Sequence, residues 1–345
     1  MKDYGPDGPR IAVLDSIESL GNAVYKFPFL RALKRAYPNS HVTWVVHART
    51  SFSNILRDLT RDYVDEVMAG ARIEKPFLKA IGKLRALPRF DIVYDMRSKF
   101  PRLIMSRIFM RYDRYITCTP GHLFTTGTLK IGHKRPTDWV TRYIDMVTVD
   151  TGKPADPSGF IPFPEDAVAE AKQLLPDGQR YVGFGTGSNG LERIWPLDRY
   201  IDVANHVTSK GCVPVFLMGP AEMHWYDEVV EKVPGVLMPG CDGVREDGKR
   251  DFPSIPLLYA LAARLTVTVA NDSGTGHLVG ASGTALISLF GPTKPERFAP
   301  WADPLVCLRA STYGGNEMTD IPTEAVIETL DRFLDTGRFE LPSAA

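Results

Sequence analysis

No stretch of this 345-residue chain approaches the roughly 20 consecutive apolar residues that a membrane-spanning helix needs. The run from Met1 to Pro9 is polar and turn-rich, with no apolar core. It does not read as a signal peptide, and a cytoplasmic protein is expected. Cysteine is scarce. Cys118, Cys212, Cys241 and Cys307 stand far apart, with no Cys-x-x-Cys pair and no Cys/His spacing that fits zinc. Reduced, mostly buried thiols and no metal site are expected. Net charge is missing too, since 41 Lys and Arg balance 41 Asp and Glu. Without a basic excess or a recognition motif, nucleic acid is a poor partner. What is present is an ordinary globular mixture, 44% hydrophobic and 24% charged, long enough for two domains of moderate size.

The zero balance hides an asymmetry. Residues 1–165 hold 26 Lys and Arg against 17 Asp and Glu, and residues 166–345 hold 15 against 24. The basic half would attract an anionic acceptor or an anionic membrane surface. The alternative is an electrostatic match between the two halves.

Hydrophobic periodicity predicts alternating strands and helices. Ile11–Leu14, His41–Val46 and Asp91–Asp95 read as strands; Phe27–Ala36 and 78–87 read as helices. The proline-richest stretch, 154–164, reads as an inter-domain linker. A second series follows. Strands are expected at 180–184, 213–218, 265–270 and 285–290, with helices at 165–175, 196–210, 255–263, 277–282 and 323–334. This rhythm argues for α/β domains, each with a parallel sheet covered on both faces. The expected domains are 1–160 and 161–322, with 323–345 a terminal helix and tail.

The chemistry concentrates between Ala270 and Trp301. A strand ends there at a small-residue loop, Asn271-Asp272-Ser273-Gly274-Thr275-Gly276-His277, which opens a helix. In a parallel α/β sheet such ends are where ligands bind. Small residues let a diphosphate reach the backbone, and a helix N-terminus favours negative charge. Asp272 suits a hydroxyl or the loop's own N–H groups better than a phosphate. Alternatively it only caps the helix.

The loop above, an apolar strand, then Leu289-Phe290-Gly291-Pro292-Thr293-Lys294-Pro295 and Pro300-Trp301 resemble the signature of glycosyltransferase family 9. These are the heptosyltransferases of lipopolysaccharide core assembly and their relatives. Gly183-Phe184-Gly185-Thr186-Gly187-Ser188 followed by Arg193-Ile194-Trp195-Pro196 is similar to a second family segment, and Leu217 to Glu222 to a third. Ser19-Leu20-Gly21-Asn22-Ala23-Val24, Pro28 to Leu33, and Asp91 to Arg97 resemble N-terminal family segments. Together the matches run from residue 11 to about 334.

The resemblance implies a GT-B architecture, two doubly wound Rossmann-like domains facing across a cleft. It implies a nucleotide-sugar donor in the C-terminal domain, used as substrate and not as cofactor, and an anionic glycan or glycolipid acceptor. Thr186, Gly187 and Ser188 would contact phosphate, with Arg193 near the pyrophosphate. Glu222 would take ribose hydroxyls and Asp272 the sugar's. Ser273, Gly274, Thr275 and the following helix would meet the diphosphate, and His277 would either donate to phosphate or pack in the core and hydrogen-bond the loop, the second being preferred. Inverting, metal-independent transfer of a heptose-like sugar follows from the same resemblance.

One departure bears on turnover. The family's general base is the Asp of a Gly-Asp dipeptide, and this chain has Gly21-Asn22. An Asn side chain accepts no proton in the working pH range. Glu18 or Asp15 on the same loop could supply the carboxylate, Glu18 being preferred. Otherwise Asn22 orients the acceptor while Asp95 or the leaving phosphate takes the proton. A third alternative is a relative that keeps donor binding and has lost transfer.

Two further signals have rival readings. Arg97 to Arg102 and Leu103–Arg114 interleave six basic residues with apolar ones and hold one acid, Asp113. A basic amphipathic helix of this kind can lie on an anionic membrane, which would make the chain peripheral at the inner membrane. In the plainer reading the apolar side chains pack on the sheet. Gly185, Gly187 and Gly190 also spell a dinucleotide fingerprint after a strand, but the helix is expected only near Pro196, too late for it.

Overall fold

The computed structural model describes residues 4–16, 19–74, 77–119, 121–126, 136–245 and 248–339. The chain divides into two compact units, Met1–Ile161 and Pro162–Ala345, and the division falls inside the proline-rich stretch.

The first unit carries strands β1 (Arg10–Asp15), β2 (His41–Val46), β3 (Glu66–Met68), β4 (Phe90–Asp95) and β5 (Tyr112–Thr117). They form one parallel sheet in the order β3-β2-β1-β4-β5. In β1, Ile11 lies opposite Val42 on one side and Ile92 on the other. Every residue of β1 after Arg10 is buried, as a strand covered on both faces must be. The helix Phe27–Ala36 begins with Pro28 in its first turn, where a missing N–H costs nothing. It packs against the helix Trp139–Thr151. Asp138 caps that helix by accepting from the Thr141 N–H at 2.7 Å, and Gly152 ends it in the left-handed region.

The second unit carries β6 (Tyr181–Gly185), β7 (Val213–Phe216), β8 (Val267–Asn271), β9 (Ala285–Phe290) and β10 (Leu305–Arg309). They too are parallel, in the order β10-β9-β8-β6-β7. Val182, Phe184, Val267, Val269, Ile287 and Leu289 build the core with Trp195 and Tyr200. The terminal helix Thr323–Thr336 packs on the helix Leu197–Ser209 and on β8 and β9, so it closes this unit's own core through Val326, Leu330 and Phe333.

Both units are doubly wound, but their strand orders differ. The order reverses between β1 and β4 in the first sheet and between β6 and β8 in the second. At such switch points the loops diverge to opposite faces and leave a crevice at the strand ends.

Two expectations need correction. The helix expected to continue to Arg114 is Phe100–Phe109. The chain then turns at Met110, and Tyr112–Thr117 is an edge strand. The apolar/basic spacing ran on past the break because this strand carries Asp113 and Arg114. The helix expected at 277–282 begins earlier, at Gly274, because its cap is Ser273. The four cysteines are free; three are buried and Cys307 is half-buried. Burial pushes the Cys307 thiol up to about 12, with Asp272 and Glu296 adding to the shift. Among the described residues no helix is long and apolar enough to cross a membrane.

Candidate functional site

At the switch point of the second sheet, β6 and β8 end side by side, Gly185 paired with Ala270. One residue ties the two loops together. The Asn271 side chain is fully buried. Its amide donates to the Thr186 carbonyl at 2.7 Å, and its carbonyl accepts from Trp195 N–H at 3.1 Å and Tyr200 O–H at 3.0 Å. Sequence reading assigned Asn271 no role. The available signal was an Asn ending an otherwise apolar strand, a position where a buried amide needs several partners.

The expected donor residues gather at this edge. Thr186 is buried, and among the described residues its Oγ1 has no hydrogen-bond partner. The Ser188 hydroxyl donates to the Asp272 carbonyl at 3.4 Å. Glu222, beyond the end of β7, folds back so that its Oε2 accepts from the Gly219 N–H at 2.9 Å. A Cβ on Gly187 would fall 2.5 Å from that carboxylate, so a side chain there would push the Glu222 carboxylate aside. Burial raises the Glu222 pKa above the ordinary carboxylate value, while the N–H bonds from Gly219 and its own backbone pull it down.

The loop after β8 divides its tasks. Ser273, and not Asp272, caps the helix Gly274–Ala281, accepting from the Gly276 N–H at 3.3 Å. Gly276 must be glycine, since a Cβ there would lie 2.7 Å from the Asn271 carbonyl. Asp272 is buried and accepts from the Thr293 hydroxyl at 2.7 Å, which joins it to the loop after β9. His277 is buried with its Nε2 3.7 Å from the same carboxylate. Gly274 and Thr275, half-buried, hold the first two N–H groups of the helix, where the partial positive charge lies. Arg193 ends a short 3-10 turn, Leu191–Arg193, with its Nε 3.7 Å from Glu192. That turn, with a helix starting only at Leu197, replaces the strand-turn-helix of a dinucleotide fingerprint.

The first unit's switch point is lined differently. Asp15 ends β1 with its carboxylate in a buried ion pair with Lys26, and it accepts from the Ser16 N–H at 2.8 Å. Asp95 ends β4 and is fully enclosed. Its oxygens accept from Arg97 Nε at 2.8 Å, Arg97 Nη2 at 2.5 Å and Tyr115 O–H at 2.5 Å. Burial alone would lower the Arg97 pKa, but Asp95 holds it well above its usual value. Arg97 is therefore a buried partner of Asp95. It does not face an acceptor. Glu74 pairs with Arg102 at 2.8 Å and accepts from the Ser16 hydroxyl at 3.3 Å. Asn22 is exposed on the short helix Leu20–Val24. Glu18 lies outside the described residues. Lys26, Glu74 and Arg97 were not singled out as ion-pair partners beforehand, and only their positions in the fold reveal those pairs.

Two doubly wound α/β units, the second with a glycine-rich loop cluster at its switch point, define a Rossmann-like fold of two units. Comparison with known proteins narrows the class. The family model described as "Glycosyltransferase family 9 (heptosyltransferase)" matches residues 89–323. The chain belongs to glycosyltransferase family 9 and is a glycosyltransferase of the heptosyltransferase kind. It is 20% identical over 315 residues to the lipopolysaccharide core heptosyltransferase OpsX of Haemophilus influenzae, covering 86% of this chain and 83% of that protein. Among solved structures, a family 9 glycosyltransferase from Veillonella parvula matches with a TM-score of 0.67 at 21% identity, covering 94% of this chain and 97% of that one. E. coli heptosyltransferase WaaC, crystallised with ADP-2-deoxy-2-fluoro heptose, matches with a TM-score of 0.67 at 18% identity, covering 94% and 99%.

Proposed function

We propose that the chain transfers a heptose-like sugar from an ADP-sugar donor to a lipopolysaccharide-like or other anionic glycan acceptor, with inversion and without a metal ion. A cytoplasmic residence is part of this reading. Its main support is the way Asn271 locks the loops after β6 and β8 into one cradle, with the Thr186 hydroxyl buried there and unpartnered. A buried hydroxyl without a partner is costly, and a phosphate oxygen would satisfy it. The diphosphate would lie against Thr186–Ser188 and the N–H groups of Gly274 and Thr275, with Arg193 meeting its charge. Glu222 would accept from the ribose hydroxyls. Asp272, steadied by Thr293, would accept from a sugar hydroxyl with its remaining lone pairs. These contacts stabilise the leaving nucleoside diphosphate as charge develops on it. A thermal-shift panel of ADP-, GDP- and UDP-sugars tests the donor. ADP-sugars should raise the melting temperature by mass action, and a flat panel would refute the reading.

A second reading, donor binding without turnover, draws on the first unit. Asn22 stands at the family base's position, and Asp15 is neutralised by Lys26. Release of ADP from an ADP-sugar in the presence of acceptor separates the two. An active enzyme with Glu18 as base loses about a hundredfold or more in turnover on Glu18→Gln. A non-catalytic binder shows no turnover to lose, and Asn22→Asp creates it.

A further inference from the structure

The first unit has a recess at the edge where its strands begin. The helix Phe27–Ala36 follows β1 and leads into β2, Tyr63 shortly precedes β3, and the segment 156–160 comes after the helix Trp139–Thr151 that follows β5. These three stretches surround a cavity of about 350 Å³ lined by the side chains of Arg31, Lys34, Arg35, Pro38, Tyr63 and Phe160. It lies at the opposite edge of the sheet from Asp15 and Asp95, which end β1 and β4.

Three cations and no acid line it. Arg31 is 4% exposed, and its Nε donates to the Pro157 carbonyl at 2.8 Å. Arg35 donates to the Asp156 carbonyl at 2.9 Å. The Lys34 ammonium reaches the Ser40 carbonyl at 3.4 Å and enters no ion pair among the described residues. Carbonyls position such groups without cancelling their charge. Two acids stand near. Asp156 pairs with Arg35 at 3.3 Å through two exposed side chains, a contact that water weakens, and Asp62 is exposed beside Tyr63. Basic residues in the last turn of a helix also suit its negative end, which accounts for Lys34 and Arg35. It does not account for Arg31, one turn earlier, or for Tyr63.

Tyr63 is half-buried, and among the described residues its hydroxyl makes no hydrogen bond. Burial raises its pKa, and the charges of Arg31 and Arg35 lower it, so the hydroxyl stands within electrostatic reach of both guanidiniums. An O–H donor set among cations matches a guest with several acceptor oxygens and negative charge. Beside them Pro38 is exposed and Phe160 is 54% exposed. Apolar surface next to convergent polar groups suits a guest that carries a ring or hydrocarbon body on its anionic group.

We propose that this cavity binds a small organic phosphate. The phosphate takes Arg31, Lys34, Arg35 and the Tyr63 hydroxyl, and the organic body lies against Pro38 and Phe160. The site is separate from the proposed donor cradle, which belongs to the second unit, and from the strand-end edge of the first. If the transferase reading holds, its ligand is neither donor nor acceptor. The binding itself does not depend on that reading.

Isothermal titration calorimetry of the full chain with inorganic phosphate, ribose 5-phosphate and phenyl phosphate tests it, each with and without saturating ADP-sugar. All three should bind, the two esters about tenfold more tightly than inorganic phosphate. Added salt should weaken them, and ADP-sugar should leave them unchanged. Lys34→Ala and Tyr63→Phe should each weaken ester binding about fivefold, and Arg31→Met about a hundredfold. Lys34 and Tyr63 are only half-buried, so their variants should keep the parent's melting temperature and ADP-sugar response even if Arg31→Met folds poorly. The proposal is overturned by the absence of heat with any phosphate, by esters that bind no better than inorganic phosphate, or by Lys34 and Tyr63 variants that bind like the parent. Competition by ADP-sugar would overturn it too, since the phosphate would then occupy the donor's site. A flat nucleotide-sugar panel with intact ester binding would refute the donor reading alone.

Discussion

The two sheets solve the same topological problem with opposite chemistry. At the first switch point the carboxylates of Asp15, Asp95 and Glu74 each face a cation, Lys26, Arg97 and Arg102. At the second, the loops are held by the neutral amide of Asn271 and a serine cap, and the carboxylates Asp272 and Glu222 accept from the Thr293 hydroxyl and the Gly219 N–H. Buried ion pairs repay their desolvation only while both partners stay. Neutral hydrogen bonds hold a loop without adding charge. The second edge keeps a buried hydroxyl, that of Thr186, open to a ligand, whereas ion pairs hold the charged groups of the first edge in place. It is this second edge that we propose as the donor cradle.

Four substitutions would break or sharpen that contrast. Arg97→Met strands the enclosed Asp95 carboxylate and should destabilise the first unit by about 3–5 kcal/mol. Hydrogen exchange of β4 and β5 amides should accelerate while β6 and β8 are unchanged; equal protection in the variant would mean the pair is not structural. Asn271→Leu keeps the branching but removes the partner of the Thr186 carbonyl and the Trp195 N–H, and leaves the Tyr200 O–H only the Gly185 carbonyl at 3.4 Å. The expected cost is about 3 kcal/mol, read as faster exchange in β6 and β8 and a lost ADP-sugar response. Gly187→Ala forces the Glu222 carboxylate aside and should weaken ADP-sugar affinity about tenfold by calorimetry, with little change in melting temperature. The smallest effect belongs to Glu222→Gln. Burial raises the Glu222 pKa, so ionising it costs the folded state. That cost is absent below the ordinary carboxylate range and grows as pH rises through the raised value. The Gln variant should therefore melt slightly higher than the parent at neutral pH and equally in acid. A constant difference across the pH range would show that charge is not the cause.

Much of the fold was legible because buried strands of parallel sheets are plain apolar runs. Ala285–Phe290 is buried throughout, and its limits were expected to the residue. The helix Phe27–Ala36 was equally clear from its leucine spacing and early proline. The edge strands β3, β5 and β10 were not expected. An edge needs fewer apolar residues and often carries charge, as Tyr112–Thr117 does with Asp113 and Arg114. The loops we propose for the donor were legible as motifs. The role of Asn271 was not, because its three partners come from positions 186, 195 and 200.

The order of residues along the chain determined the alternation of strand and helix, the small-residue turn after β8, and an Asn at position 22. These are local properties, readable from neighbours within a few positions. Only the tertiary structure decided the reversal of strand order at β6 and β8 and the pairing of Asp95 with Arg97 inside the first unit. The reason is distance: burial and charge pairing depend on what packs alongside, and sequence spacing does not carry that information.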